Sequence, residues 1–312
     1  MRIAIFGAGA VGAYFGGRLA RAGEDIVFIA RGAHLDAIRQ NGLFVESPLG
    51  DFHIYPAQAT DRPEEVGPVD VVLVGVKAWQ VPEVAPAMGP LLGPETFIVP
   101  LENGVEASEQ LAAVWGAERV LGGLCRIISI VTAPGRIRHG GMEPYVAFGE
   151  RDNRPSARAE RLREVFTRAG VRAEIPPDIH VALWEKFLFI APFAGLGAVT
   201  RAPVGILRSL PETRALLEGA IAEAFAVGRA RGVRLADDVP ARTLALIDGM
   251  PPEGTTSMQR DIAAGRPSEL DYLAGAVVRI GRQVGVDTPI HTFIYHCLLP
   301  LERRARGELQ FS

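Results

Sequence analysis

Apolar positions follow two regimes along this chain. Up to about residue 175 they come in short, strand-length runs broken by glycine, proline and brief helical stretches. Beyond Pro176-Pro177 they lengthen to helix scale. Continuous apolar runs of strand length suit parallel strands buried on both faces, whereas longer periodic runs suit helices. Residues 2–6 read as a first strand, 10–22 as a helix and 26–29 as a second strand. A helix over 33–40 is stopped by Asn41-Gly42, and strands at 43–46 and 52–55 flank the hairpin-type turn Ser47-Pro48-Leu49-Gly50. The β-branched run 69–76 predicts a central parallel strand, and 96–100 the next one. Residues 120–131 read as one strand-like stretch, and 136–148 as paired strands about a Gly140-Gly141 bend. A charged helix over 158–168 and a last strand at 171–175 complete this half. The second half opens with a nearly all-apolar helix over 179–194, with a kink expected at Pro192. Further helices are expected at 211–231, 238–249, 270–284 and 289–305. The pattern predicts an α/β fold, with a Rossmann-type domain over 1–176 and an all-helical domain over 177–312.

The turn between the first strand and helix is Gly7-Ala8-Gly9-Ala10-Val11-Gly12, a G-x-G-x-x-G sequence. In that position it is the dinucleotide-binding fingerprint. Gly7 permits the tight turn, Gly9 lets the backbone approach a pyrophosphate, and Gly12 lets helix and strand pack closely. The helix N-terminus then offers unpaired N–H groups and a positive dipole end. The second strand ends in Ala30-Arg31, where a site for NAD carries an acid to hold the ribose 2′-hydroxyl. A guanidinium there suits a 2′-phosphate, so the expected cofactor is NADP(H).

Composition narrows the class. The chain has 312 residues, 48% of them hydrophobic and 22% charged, which fits two globular domains and excludes disorder. A net charge of −3 leaves no footprint for nucleic acid. No apolar run is read as reaching membrane-spanning length, the apolar N-terminus lacks a signal-peptide pattern, and no membrane partner is expected. Cys125 and Cys297 are the only cysteines, too few for a disulfide framework, so a cytoplasmic setting is expected. His291 and His296 beside Cys297 match no common zinc spacing, and no metal is expected.

Candidate chemistry lies at strand and helix ends. Lys77 follows the central strand and Asn103 the next one, so both fall on the carboxyl rim where α/β sheets bind ligands. Each alone is better read as a solvated loop residue; their shared rim beside a cofactor turn brings the functional reading level with that one. Lys186 sits at the edge of the uncharged run 187–194, where low dielectric would make an ammonium a better proton donor. Its plain alternative is a lysine snorkelling from a helix end. Ser257 and Ser268-Glu269 stand at two helix starts and read equally as N-caps with acids nearby.

Taken together these stretches resemble the ketopantoate reductases (2-dehydropantoate 2-reductases). The likeness rests on Gly7 to Gly12, Arg31, Val76-Lys77-Ala78-Trp79-Gln80-Val81, Glu102-Asn103-Gly104, Leu183-Trp184-Glu185-Lys186, Thr256-Ser257-Met258 through Asp261, and Ser268-Glu269-Leu270-Asp271-Tyr272. The resemblance implies NADPH-dependent reduction of a small 2-oxo acid, with ketopantoate as the first choice. By the same resemblance Lys186 is the general acid, and Lys77 and Asn103 serve the nicotinamide side. Glu269 serves the cofactor ribose, and Ser257, with Asn103 and Lys186, the substrate. Where the family pattern has asparagines, this chain has Ile190, Ala194, Val204 and Gly254. Those departures leave open a more apolar oxo acid or ketone; a non-catalytic NADP(H) sensor is a further alternative, and a homodimer is allowed.

Overall fold

The computed structural model describes residues 1–311. They divide into two compact units, one of residues 1–102 with 106–179, the other of 103–105 with the described residues from 180 onward.

The first unit is built on a five-stranded parallel sheet. Its strands are β1 (Arg2–Phe6), β2 (Asp25–Ile29), β5 (Gln58–Thr60), β6 (Val69–Val74) and β7 (Leu92–Pro100), in the order β5-β2-β1-β6-β7. β1 pairs with β2 from Arg2↔Asp25 to Phe6↔Ile29 and with β6 from Ile3↔Val71 to Phe6↔Val74. Both faces of these strands are apolar because helices cover both, so Ile3, Ala4 and Ile5 are fully buried. Helices α1 (Ala10–Arg21) and α2 (Gly32–Asn41) follow β1 and β2, and α3 (Val81–Val84) and α4 (Ala107–Trp115) follow β6 and β7. Gly42, with φ +76°, ends α2 as its sequence position predicts.

Two smaller sheets correct the expected pairing. The stretch read as one strand over 120–131 is two, β8 (Leu121–Arg126) and β9 (Ser129–Ala133), and they join different sheets. Likewise β10 (Arg136–His139) and β11 (Tyr145–Glu150) do not pair with each other. β10 lies between β9 and β3 (Leu43–Glu46), which pairs antiparallel with β4 (Phe52–Ile54). β11 lies between β8 and β12 (Arg172–Glu174), after α5 (Ala157–Arg168). Alternation and glycine placement identify strands but not their partners, which burial decides. The β3–β4 hairpin covers α1: Phe52 packs over Gly17, where a Cβ would come within 2.9 Å of its ring.

The second unit is helical: α6 (Ile179–Thr200), α7 (Val204–Ser209), α8 (Pro211–Ala230), α9 (Val239–Asp248), α10 (Ser257–Ala263), α11 (Ala274–Val284) and α12 (Pro289–Ala305). The helix expected over 270–284 is divided into a 3-10 turn at Leu270–Tyr272 and α11, with Leu273 between them. Helix α6 runs past Pro192 to Thr200. It is apolar enough to span a membrane by length and composition, with a mean hydropathy of 1.4, but 72% of that window is buried within the protein. Helix α6 is therefore read as the hydrophobic axis of this unit.

Candidate active site

The glycine turn has the close approaches that its sequence requires. Gly7 has φ +98°, and a Cβ on it would lie 2.6 Å from Val76 Cγ1 and 2.8 Å from Val76 N. A Cβ on Gly12 would lie 2.1 Å from the Gly7 carbonyl oxygen, so the helix start touches the strand end backbone to backbone. Above Gly9 the space is open: its nearest neighbour would be the Gly75 carbonyl at 3.9 Å. The first turn of α1 has no side-chain cap and no acid, so its N–H groups and dipole are left for an anion. This cradle fits a dinucleotide pyrophosphate.

Arg31 is exposed at the carboxyl end of β2, immediately before α2, which has no acid in its first turn. The guanidinium makes no hydrogen bond or ion pair with the described residues. Asp25 is at the opposite end of β2, where it accepts a bond from Gln58. His34 was missed by sequence reasoning. Its Nδ1 accepts the Gly135 N–H at 3.1 Å, tying the start of α2 to the turn before β10. Burial lowers its pKa, against a smaller upward pull from the Ala8 carbonyl, so the imidazole beside the glycine turn is neutral near pH 7. Lys77 caps a 3-10 turn at Ala78–Gln80, its N–H donating to Gln80 Oε1 at 3.1 Å.

In the helical unit, the loop after β7 contributes Asn103. Its Nδ2 donates to Glu269 Oε2 at 3.1 Å, and Glu269 is 4% exposed. Gly104, with φ +104°, allows this approach, since a Cβ there would lie 3.0 Å from the Tyr272 carbonyl. Two residues 166 apart in sequence are thus joined. Ser257 is not the N-cap. That place belongs to Thr256, whose side chain accepts the Gln259 N–H at 3.2 Å. The Ser257 hydroxyl, half-buried on the first turn of α10, makes no hydrogen bond with the described residues. Lys186 is half-buried on α6. Helical spacing puts Phe189, Ile190 and Phe193 on its face, the two phenylalanine rings 5.8 Å apart. The structure gives no hydrogen bond between Ser257 and the Asn103–Glu269 pair.

Ile190 is half-buried and Ala194 and Val204 are fully buried. Val204 N–H donates to the Gly254 carbonyl at 2.9 Å, and a Cβ on Gly254 would lie 3.3 Å from Val204 Cγ1. Two of the positions that depart from the family pattern are therefore neighbours.

Sequence reasoning also passed over Glu302 and Arg306. Glu302 lies on the buried stripe of α12 with His291, Ile294 and Leu298. A carboxylate at an apolar position of a helical pattern was the available signal.

A glycine-turn parallel-sheet unit followed by a helical unit defines a two-domain, dinucleotide-binding protein. Comparison with known proteins makes the class specific. The family model described as ketopantoate reductase PanE/ApbA matches residues 3–153, and its C-terminal counterpart matches 178–302. The 2-dehydropantoate 2-reductase of Mesorhizobium japonicum is 35% identical over 311 residues, covering 93% of this chain and 94% of the relative. The crystal structure of 2-dehydropantoate 2-reductase from Geobacter metallireducens GS-15 superposes with a TM-score of 0.90 at 35% identity, covering 96% of this chain and 99% of that one. D-mandelate dehydrogenase, solved with NADH and anilino(oxo)acetate, also has a TM-score of 0.90, covering 98% of this chain and 99% of that one. At 22% identity it shows the fold alone. The chain belongs to the ketopantoate reductase family, oxidoreductases acting on a CH–OH group.

Proposed function

We propose that this protein reduces a 2-oxo acid with NADPH, and that 2-dehydropantoate, giving pantoate, is its substrate. The observation that carries this reading is the Asn103–Glu269 hydrogen bond, which joins two of the polar positions named from the family resemblance. The turn from Gly7 to Gly12 holds the pyrophosphate, and Arg31 takes the 2′-phosphate. Glu269 holds the cofactor ribose while its second interaction orients Asn103, which with Lys77 serves the nicotinamide side. Bound NADPH supplies a hydride to the C2 carbonyl carbon of the oxo acid. As negative charge grows on that oxygen, the Lys186 ammonium stabilises it and gives it a proton, yielding the 2-hydroxy acid. Lys186 then regains a proton from water. Ser257 offers its hydroxyl to the substrate. The reading includes a cytoplasmic setting and, as the assembly to test first, a homodimer.

The test is NADPH oxidation against a panel of 2-oxo acids that includes 2-dehydropantoate, with the product identified. Turnover of 2-dehydropantoate to pantoate is expected. NADPH binding without oxidation by any oxo acid in the panel would overturn the proposal and leave a ketone reductase or a sensor.

A further inference from the structure

The turn that carries Glu269 is held by groups outside every motif named so far. Glu302, near the end of α12, is 2% exposed and reaches across to Ser268, which is fully buried. Its two carboxylate oxygens accept the Ser268 N–H at 3.0 and 3.1 Å, and Oε2 also accepts the Ser268 hydroxyl at 2.5 Å. Ser268 Oγ in turn accepts the Leu270 N–H at 3.2 Å, so the hydroxyl bridges Glu302 to the backbone beyond Glu269. Arg306, one turn along α12, pairs with Glu302 Oε1 at 2.6 Å and donates to the Ser268 carbonyl at 3.2 Å. The N–H, the carbonyl and the hydroxyl of Ser268 are thus all engaged. The next residue is the one whose carboxylate receives Asn103. A buried carboxylate is costly unless its lone pairs are filled, and these contacts fill them.

We infer that Glu302, supported by Arg306, is a positioning residue for the Asn103–Glu269 pair. It fixes the backbone on the N-terminal side of Glu269 and so sets the direction of that carboxylate. The inference rests on the proposed roles of Asn103 and Glu269 at the cofactor. Its chemistry is specific to a carboxylate: a carboxamide of the same shape turns one acceptor into an N–H donor that faces either the Ser268 N–H or the Arg306 guanidinium. The single remaining oxygen cannot then serve both partners. A purely structural anchor would lose stability in such a variant without disturbing Asn103.

The experiment uses the full chain and the variants Glu302→Gln, Glu269→Gln and the double variant, with NADPH titrated into each. A second readout follows solvent exchange of the Asn103 side-chain amide by NMR. Glu302→Gln is expected to weaken NADPH binding about five- to tenfold, the scale of one lost hydrogen bond, and to speed exchange at the Asn103 amide. In the Glu269→Gln background the further loss should nearly vanish, because both changes act through one carboxylate. Full additivity, or an unchanged Asn103 amide in Glu302→Gln, overturns the inference. If Glu269→Gln alone leaves NADPH affinity unchanged, the proposed ribose role of Glu269 fails, and the Asn103 amide alone decides the role of Glu302. Should Glu302→Gln not fold, Ser268→Ala removes the hydroxyl link between Glu302 and the Leu270 N–H, keeps the backbone contacts, and is read by the same two signals.

Discussion

If Arg31 grips a cofactor 2′-phosphate, replacing it by alanine separates that one contact from every other. The guanidinium is exposed and bonded to no described residue, so its removal leaves no unpaired group and no cavity. Stability should therefore change by less than about 0.5 kcal/mol, the usual range for surface substitutions. With NADPH bound, the same guanidinium would make charge-assisted bonds to the phosphate. Losing one such bond costs about 1.5–3 kcal/mol, or about 10- to 150-fold in affinity. NADH lacks the phosphate and should bind Arg31→Ala about as well as it binds the unmutated protein. Calorimetric titration of both cofactors into both proteins at one fixed ionic strength gives four dissociation constants, and the ratio of ratios is the quantity of interest. Salt must be held constant because an exposed pair is screened. Equal affinity of the unmutated protein for NADPH and NADH would rule out a 2′-phosphate grip by Arg31, as would a parallel loss for both cofactors.

Four further changes have defined outcomes. Gly12→Ala puts a methyl group 2.1 Å from the Gly7 carbonyl, so it should cost about 1–3 kcal/mol or more in chemical denaturation and abolish cofactor binding. Ile190→Asn, at a half-buried position on the face of Lys186, should raise kcat/KM for 2-dehydropantoate if the substrate hydroxyl meets that face; no gain in a folded variant would place the hydroxyl elsewhere. Ala194→Asn adds bulk at a fully buried site and should lower the melting temperature instead. Glu223 is partly desolvated, which raises its pKa, but the His291 ring and the N–H groups of His291 and Ile290 outweigh this and hold it below 4.5. A folded pKa below the unfolded one gives stability that is complete above pH 4.5 and lost as pH falls through the lowered value. The melting temperature of Glu223→Gln should thus fall short of the unmutated protein's at pH 7 and converge with it in acid; a constant gap would contradict this.

The parts of the fold legible in the sequence were those fixed by local chemistry. Gly7 and Gly12 announce a turn because a Cβ at either would meet the facing backbone, and the run 69–76 announces a buried strand. Strand partners were not legible: nothing local tells β10 to pair with β3 rather than β11, a choice made by burial of Phe52 and Ile137 against α1 and its neighbours. The site divided in the same way. Arg31 and Asn103 could be placed from strand ends, but the bond between Asn103 and Glu269 spans most of the chain and requires the folded helical unit. Ser257 was open to reading as a cap because serine and threonine cap alike, and only geometry gives that place to Thr256. Glu302 escaped because it sits in a basic helix end, although its place on the buried stripe of α12 marked it.

The proposed delivery of the proton by Lys186, as hydride reaches the carbonyl carbon, is the step on which the reaction depends. It is tested most directly by single-turnover and steady-state rates of Lys186→Ala and Lys186→Arg with saturating NADPH and oxo acid, with NADPH affinity measured alongside. Lys186→Ala should lose kcat by about 100-fold or more while NADPH binds nearly as before. Lys186→Arg should not restore the rate, because guanidinium holds its proton too tightly. A near-normal kcat in Lys186→Ala, on any substrate the enzyme reduces, would contradict it.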